Sequence, residues 1–233
     1  APILKFQPES AEELAMVVFA QQLGYTKLPE KEQSEKTEAE KRSNGDTYLS
    51  IQPFDYNTMK PQGDAVTKSY VFLAVFGFTS ARARVTVIYQ DCSTGKIICM
   101  IKGQDTTVTP LLTLDNCKTS EEQLLGTLKE CCDNGLRTLI AGHAEHEYSW
   151  WEPWGEAYNA LKNESLDETT RAKKEHDLYA RIEKDAKFEY LGCIGLEDQL
   201  QPLVPETIES LLRASIKVWM ITGDKLETAR NIG

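Results

Sequence analysis

The residues best suited to chemistry stand at the carboxyl end of the chain, in "KVWMITGDKLETARNIG", residues 217–233. An apolar run enters Thr222-Gly223-Asp224, and a helical pattern follows. A hydroxyl and successive backbone N–H groups, set where a parallel strand ends and a helix begins, can grip a phosphoryl oxygen. Taken alone, the tripeptide is better read as a Gly-Asp turn that caps a helix. Such a seat would need a reactive aspartate on a neighbouring strand to do phosphoryl chemistry.

A second set lies upstream. In "FTSARARVTVI", residues 78–88, Phe78 stands at a strand end, where an aromatic face can stack on a base. It also continues the alternation of Phe72, Ala74 and Phe76, and on the local pattern alone a core role is preferred. Arg82 and Arg84, two apart, share one side of the strand and face either a triphosphate or solvent. His143 and His146 lack a cysteine at ligand spacing, so a metal site there is disfavoured.

The elements that must carry these residues fall into two styles. Residues 10–23 begin with Ser10 and Glu13, the spacing of a capping box, and carry apolar residues at helical spacing, with Gly24 near the end. Residues 29–47 mix both charge signs without a large apolar residue and read as a solvated loop. From 48 to 103, four β-patterned stretches separated by turn residues predict an antiparallel sheet. A helix over 119–133, a strand at "LRTLIAG" and a long charged helix over 165–187 follow. Trp150, Trp151 and Trp154 are expected to pack against the sheet. After residue 188 the pattern becomes strand ("FEYLGCIGL"), helix ("PETIESLLRAS"), strand ("KVWMI") and helix start, the order of a parallel sheet. That stretch is too short to complete a sheet covered on both faces.

Composition narrows the function classes. The 233 residues are 41% hydrophobic and 27% charged, those of a folding chain, with a formal net charge of -10. Such a balance disfavours a generic nucleic-acid or anionic-membrane surface, so an anionic ligand needs a specific pocket. The longest apolar run, "YVFLAVFGF", falls well short of the ~20 residues that cross a bilayer. The chain opens on Ala1 and reads as an excised segment. Cys92, Cys99, Cys117, Cys131, Cys132 and Cys193 form no CxxC pair and read as reduced thiols.

Residues 197–233, "EDQLQPLVPETIESLLRASIKVWMITGDKLETARNIG" with its preceding Leu196, closely resemble the phosphorylation-domain segment of P-type ATPases, most of all the phospholipid-flippase (type IV) subfamily. The rest of the chain is similar to that family's nucleotide-binding domain, in the same order. The resemblance implies an α+β domain over 1–187, an antiparallel sheet with flanking helices. An incomplete α/β fragment of a haloacid-dehalogenase-like phosphorylation domain would follow over 188–233. It implies that Phe78 stacks on adenine with Ser80 close to the nucleotide, that Lys102 contacts ATP, and that Gly103 lets backbone approach it. Arg137, in "GLRTL", would pair with phosphate or ribose oxygens, for which its fork of donors is suited. Glu13 matches the glutamate of the family's Ser-Pro-Asp-Glu stretch, although Ala11 and Glu12 depart from it. Ala83 stands where the family has lysine, and Gln104 where it has alanine. Outside the resemblance, the Lys102-Gly103 pair reads as a turn and Arg137 as an exposed strand-start residue.

By the same resemblance Thr222, Gly223 and Asp224 would grip the transferred phosphoryl group beside magnesium. The nucleophilic aspartate of a "DKTGT" loop and the magnesium-binding "GDGxNDV" loop do not occur in these residues. The implied function is an ATP-binding module of a phospholipid-translocating ATPase, delivering the γ-phosphate to an aspartate outside the segment. The segment alone would turn nothing over. ATP and Mg2+ would be its cofactors. Phospholipid, a membrane and a membrane-embedded accessory subunit would be reached through other regions, with this domain on the cytosolic face; no nucleic acid is implied. The departures at Ala11, Glu12, Ala83 and Gln104 motivate an alternative, a non-catalytic flippase-like regulatory or scaffolding domain. A soluble haloacid-dehalogenase phosphatase ranks last, because the Asp-x-Asp pair it requires is missing.

Overall fold

The computed structural model describes residues 10–28, 47–52, 54–55, 58, 60–113, 121–197 and 201–221. The proposed phosphoryl seat, Thr222 to Asp224, lies outside the described residues, as do Cys117 and nearly all of the expected loop over 29–47.

Helix α1, Ala11–Gln22, starts where the sequence places it, with Ser10 in extended conformation accepting a bond from the Glu13 N–H at 3.2 Å. Gly24 then turns the chain at φ +88°, a conformation that side chains oppose. A Cβ there would lie 2.5 Å from the carbonyl oxygen of Gln52, whose N–H donates to Gly24 at 3.0 Å.

Seven strands form one sheet: β1 (Tyr25–Leu28), β2 (Thr47–Ile51), β5 (Val66–Phe76), β6 (Arg84–Asp91), β7 (Ile97–Gln104), β8 (Arg137–His146) and β9 (Glu189–Leu196), in that order across the sheet. Two short strands, β3 (Phe54–Asp55) and β4 (Lys60–Pro61), pair separately. The β1–β2, β2–β5 and β5–β6 pairs are antiparallel, the last two within the antiparallel sheet expected over 48–103. Between Phe72 and Ala74 the β5–β6 register slips by one residue, from Phe72↔Tyr89 to Ala74↔Ile88. Phe72, beside this slip, is 46% exposed, whereas Tyr70, Ala74 and Phe76 are buried, so the expected alternation is interrupted there.

The remaining elements are α2 (Asp105–Val108), a 3-10 turn (Thr109–Leu111), α3 (Glu121–Asp133), α4 (Tyr148–Asn163), α5 (Glu168–Ala186) and α6 (Val204–Arg213). Asp167 caps α5 by accepting the Thr170 N–H at 3.0 Å, and Lys187 leaves it in the left-handed region. Pro205 opens α6, where its missing N–H costs nothing. Three features differ from the sequence expectation. Helix α4 was not anticipated, although Trp151, Gly155, Tyr158 and Leu161 form its buried stripe at helical spacing. Strand β9 neighbours β8 in the seven-stranded sheet instead of opening a separate one. Residues 217–221 are not in a strand; Trp219 and Ile221 are 81% and 96% exposed, without the covering layer a central strand requires.

The chain divides into two compact units, Ala1–Ile101 with His143–Phe188, and Lys102–Gly142 with Glu189–Gly233. In the first, Tyr70, Ala74, Phe76, Ile88, Ile97 and Cys99 on the strands share a core with Trp151, Tyr158 and Ile182 on the helices. Phe76, fully buried, stacks on Tyr179 with centroids 4.0 Å apart and an 11° interplanar angle. In the second, Val108, Leu124, Leu128 and Ile140 are buried. There α3 packs on β9, and a Cβ on Gly195 would meet Leu136 at 2.8 Å and the Cys131 sulfur at 3.6 Å.

Candidate nucleotide site

Strand β5 ends at Phe76, and the chain turns through residues 77–83 before β6 begins. The turn is closed by the N–H groups of Arg82 and Ala83, which donate to the Thr79 carbonyl at 3.0 and 2.7 Å. The Arg82 N–H also reaches the Thr79 hydroxyl at 3.2 Å, and Ala83 takes φ +48°. Phe78 stands on this turn 63% exposed, and Ser80 is exposed beside it. Burying such a ring would gain roughly 1.5–3 kcal/mol. Its exposure next to a fully buried Phe76 removes the core role that the local pattern favoured.

Beneath the turn sits a buried ionic cluster. Glu183, near the end of α5 and 0% exposed, accepts from Arg84 Nε at 2.9 Å and Arg84 Nη2 at 2.7 Å. It also accepts from the Thr86 hydroxyl at 2.6 Å and pairs with Arg82 Nη2. Arg82 uses its other Nη to donate to the Gly77 carbonyl at 2.7 Å, so one guanidinium links the helix carboxylate to the first residue of the turn. Its carbon lies 5.4 Å from the Tyr179 ring centroid and 5.8 Å from that of Phe76. Burial pushes the Arg82 guanidinium below its ordinary range, against the opposing pull of Glu183, and burial raises the Tyr179 phenol to about 12. The two arginines that the sequence left between triphosphate and solvent are thus occupied by Glu183. A carboxylate 99 residues downstream of Arg84 is outside any local pattern; the one available hint is a pair of arginines leading into an apolar strand, which demands an acid somewhere.

The remaining expected residues divide between the two units. Glu13 is half-buried in the first turn of α1, in the unit that holds Phe78 and Ser80. Lys102 and Gly103, near the end of β7, and Arg137, the first residue of β8, belong to the other unit, on strands adjacent in the sheet order. Along β7 the buried positions are Ile97, Cys99, Ile101 and Gly103, which leaves Lys102 half-buried on the opposite face. Arg137 is likewise half-buried, alternating with the buried Thr138 and Ile140. Gln104, the departure from the family's alanine, is exposed and leads into α2, where its carbonyl accepts the Thr107 hydroxyl at 3.0 Å.

The tryptophans form a second feature of the first unit. Trp151 is buried, while the indole N–H groups of Trp150 and Trp154 donate to one oxygen of Asp185 at 2.8 and 3.1 Å. Trp150 stacks on His146 at 4.1 Å, and His146 Nε2 meets the Ala186 carbonyl at 3.0 Å. Both His143 and His146 lie within β8, His146 as its last residue. A shallow groove of about 470 Å³ runs between α4 and α5, lined by Trp150, Pro153, Trp154, Leu178 and Arg181. Among the described residues no helix is long and apolar enough to cross a membrane.

No protein-family model matches the chain. Curated proteins do, and the matches define a class of ATPase. Over 231 residues the chain is 32% identical to "Probable phospholipid-transporting ATPase 12" of Arabidopsis thaliana, covering 99% of the chain and 17% of that relative. It is 37% identical over 180 residues to "Phospholipid-transporting ATPase ID" of Homo sapiens, covering 76% of the chain and 14% of the relative. A third, "Phospholipid-transporting ATPase C887.12" of Schizosaccharomyces pombe, is 36% identical over 166 residues, 71% of the chain and 13% of the relative. The chain belongs to the phospholipid-transporting (type IV) P-type ATPases and spans only 13% to 17% of the length of these relatives.

Proposed function

We propose that this chain is the ATP-binding part of a phospholipid-translocating ATPase, which presents ATP to a phosphorylatable aspartate that these residues do not include. Residues 1–187 act as the nucleotide-binding domain and 188–233 as part of the phosphorylation domain. Phe78 stacks on the adenine, with Ser80 and Glu13 beside the nucleotide. Lys102 and Arg137 take its anionic oxygens, and Gly103 admits close backbone approach. Thr222, Gly223 and Asp224 grip the phosphoryl group. When bound with Mg2+, ATP supplies the phosphoryl group whose transfer and hydrolysis drive lipid movement in the complete protein. The chain's own contribution is to hold and orient, since phosphoryl transfer depends mostly on positioning and charge neutralisation. In the complete protein this domain lies on the cytosolic face of a membrane, and an accessory membrane subunit is a partner.

The observation that carries this reading is the exposed ring of Phe78 on a turn tied down at both ends, because an ordinary core phenylalanine at the end of β5 would be buried like Phe76. Base stacking on such a ring contributes ~1–3 kcal/mol, about 5- to 150-fold in affinity. Displacement of a fluorescent ATP analogue by ATP tests it. The wild-type chain should bind saturably, and Phe78→Ala should weaken binding by that factor while Lys102→Ala weakens it independently. Absence of saturable binding by the folded wild-type chain, or indifference to both substitutions, would overturn it.

A further inference from the structure

We infer that Glu183 is a positioning residue for the nucleotide: it fixes the 77–83 turn from below and so sets how well Phe78 receives a base. The inference rests on the proposed role of Phe78 as the base-stacking residue, and adds to it a residue from another element.

The long helix α5 is rich in charge, yet of its charged side chains only Glu183 is fully buried. It is surrounded by donors from one neighbouring segment, Arg82, Arg84 and Thr86, which approach both carboxylate oxygens. A carboxylate retained in a core must be matched by such partners, and a whole buried ion cluster can often be replaced by apolar side chains without loss of stability, so stability alone does not explain this one. A role in holding geometry gives the charge a reason to be there. The geometry it holds is specific. Arg82 connects Glu183 to the Gly77 carbonyl, the residue before Phe78, while the Arg82 N–H closes the other end of the turn on Thr79. The turn includes Ala83 at φ +48°, a backbone state that an alanine holds only when its surroundings impose it. The guanidinium is itself kept in place by the Phe76 and Tyr179 rings. Glu183 therefore acts on an exposed ligand-facing side chain through a guanidinium and a backbone carbonyl, without touching the ligand.

The test uses the full chain, the ATP-displacement assay and amide hydrogen exchange. Glu183→Gln keeps the shape of the side chain but turns an N–H₂ toward the arginines. Arg82→Met keeps an unbranched chain against the rings while cutting the link to Gly77, and it serves if the Glu183 variants fail to fold. Each should weaken ATP by about 3- to 30-fold, a share of the stacking contribution. The Ala83 and Arg82 amides should exchange at least about tenfold faster, with the α5 amides unchanged. In a Phe78→Ala background Glu183→Gln should cost less than about twofold, because its effect passes through the ring; a general loss of structure would instead add in full. Unchanged ATP affinity and unchanged exchange in a folded Glu183→Gln chain would overturn the inference, as would full additivity with Phe78→Ala. A wild-type chain that binds no ATP would defeat the proposed function and the ligand half of this inference, while the exchange rates would still decide whether Glu183 anchors the turn.

Discussion

Removing the Glu183 carboxylate should damage the first unit more than removing any exposed acid in it. Glu183→Ala deletes the acceptor for Arg82 Nη2, for two nitrogens of Arg84 and for the Thr86 hydroxyl, all at a position with 0% exposure. Arg82 is 4% exposed, so its positive charge has no ready access to water once the carboxylate is gone. Leaving one member of a buried ion pair uncompensated costs about 3–5 kcal/mol. The proper control is Glu164→Ala, whose partner Lys174 is 46% exposed and whose pair is worth about 0–1 kcal/mol. Domains have only about 5–15 kcal/mol of stability in total, so the first change should be visible as a large fall in urea midpoint and the second barely visible. Urea unfolding read by the fluorescence of the tryptophans on α4 reports on this unit directly. A Glu183→Ala loss below about 1 kcal/mol, no larger than that of the control, would refute the claim that the cluster is an interdependent buried network.

Other outcomes follow from single contacts. Asp185→Ala takes the shared acceptor from the Trp150 and Trp154 indoles, which should shift tryptophan emission and cost about 1 kcal/mol; an unchanged spectrum would contradict the pairing. Gly24→Ala must hold φ +88° and place a Cβ against the Gln52 carbonyl, so a loss of about 1–3 kcal/mol is expected in urea unfolding, and a neutral result would contradict the turn. Burial raises the phenols of Tyr89 and Tyr179 from 10.0 to about 12, so the folded chain keeps protons that the unfolded chain has lost. Their contribution is fully present below pH 10 and is lost as pH rises from 10 towards 12. Stability measured across that range should fall, and Tyr179→Phe should make the fall shallower.

The parts of the fold that depend on neighbours in sequence were readable in advance. Ser10 and Glu13 announced the start of α1, Pro205 that of α6, and the alternation of "KIICMIK" gave β7 its buried and less buried faces. What escaped depended on partners far away. Helix α4 was hidden by Pro153, which sits inside it, although the spacing of Trp151, Gly155, Tyr158 and Leu161 carried the signal. "KVWMI" has strand composition, yet composition cannot provide a pairing edge, and those residues are not in a strand. Phe78 looked like one more core position, but β5 ends at Phe76 and the turn that follows sets Phe78 outside. Glu183 was one glutamate among many on a charged helix, and only its burial against Arg82, Arg84 and Thr86 separates it from the rest.

The most direct test of the central claim is a backbone amide NMR titration of the chain with ATP, with and without magnesium. Saturable shifts confined to the neighbourhoods of Phe78, Lys102 and Arg137, weakened about 5- to 150-fold by Phe78→Ala, are the predicted result. A well-folded chain whose amides do not move at millimolar ATP would contradict it.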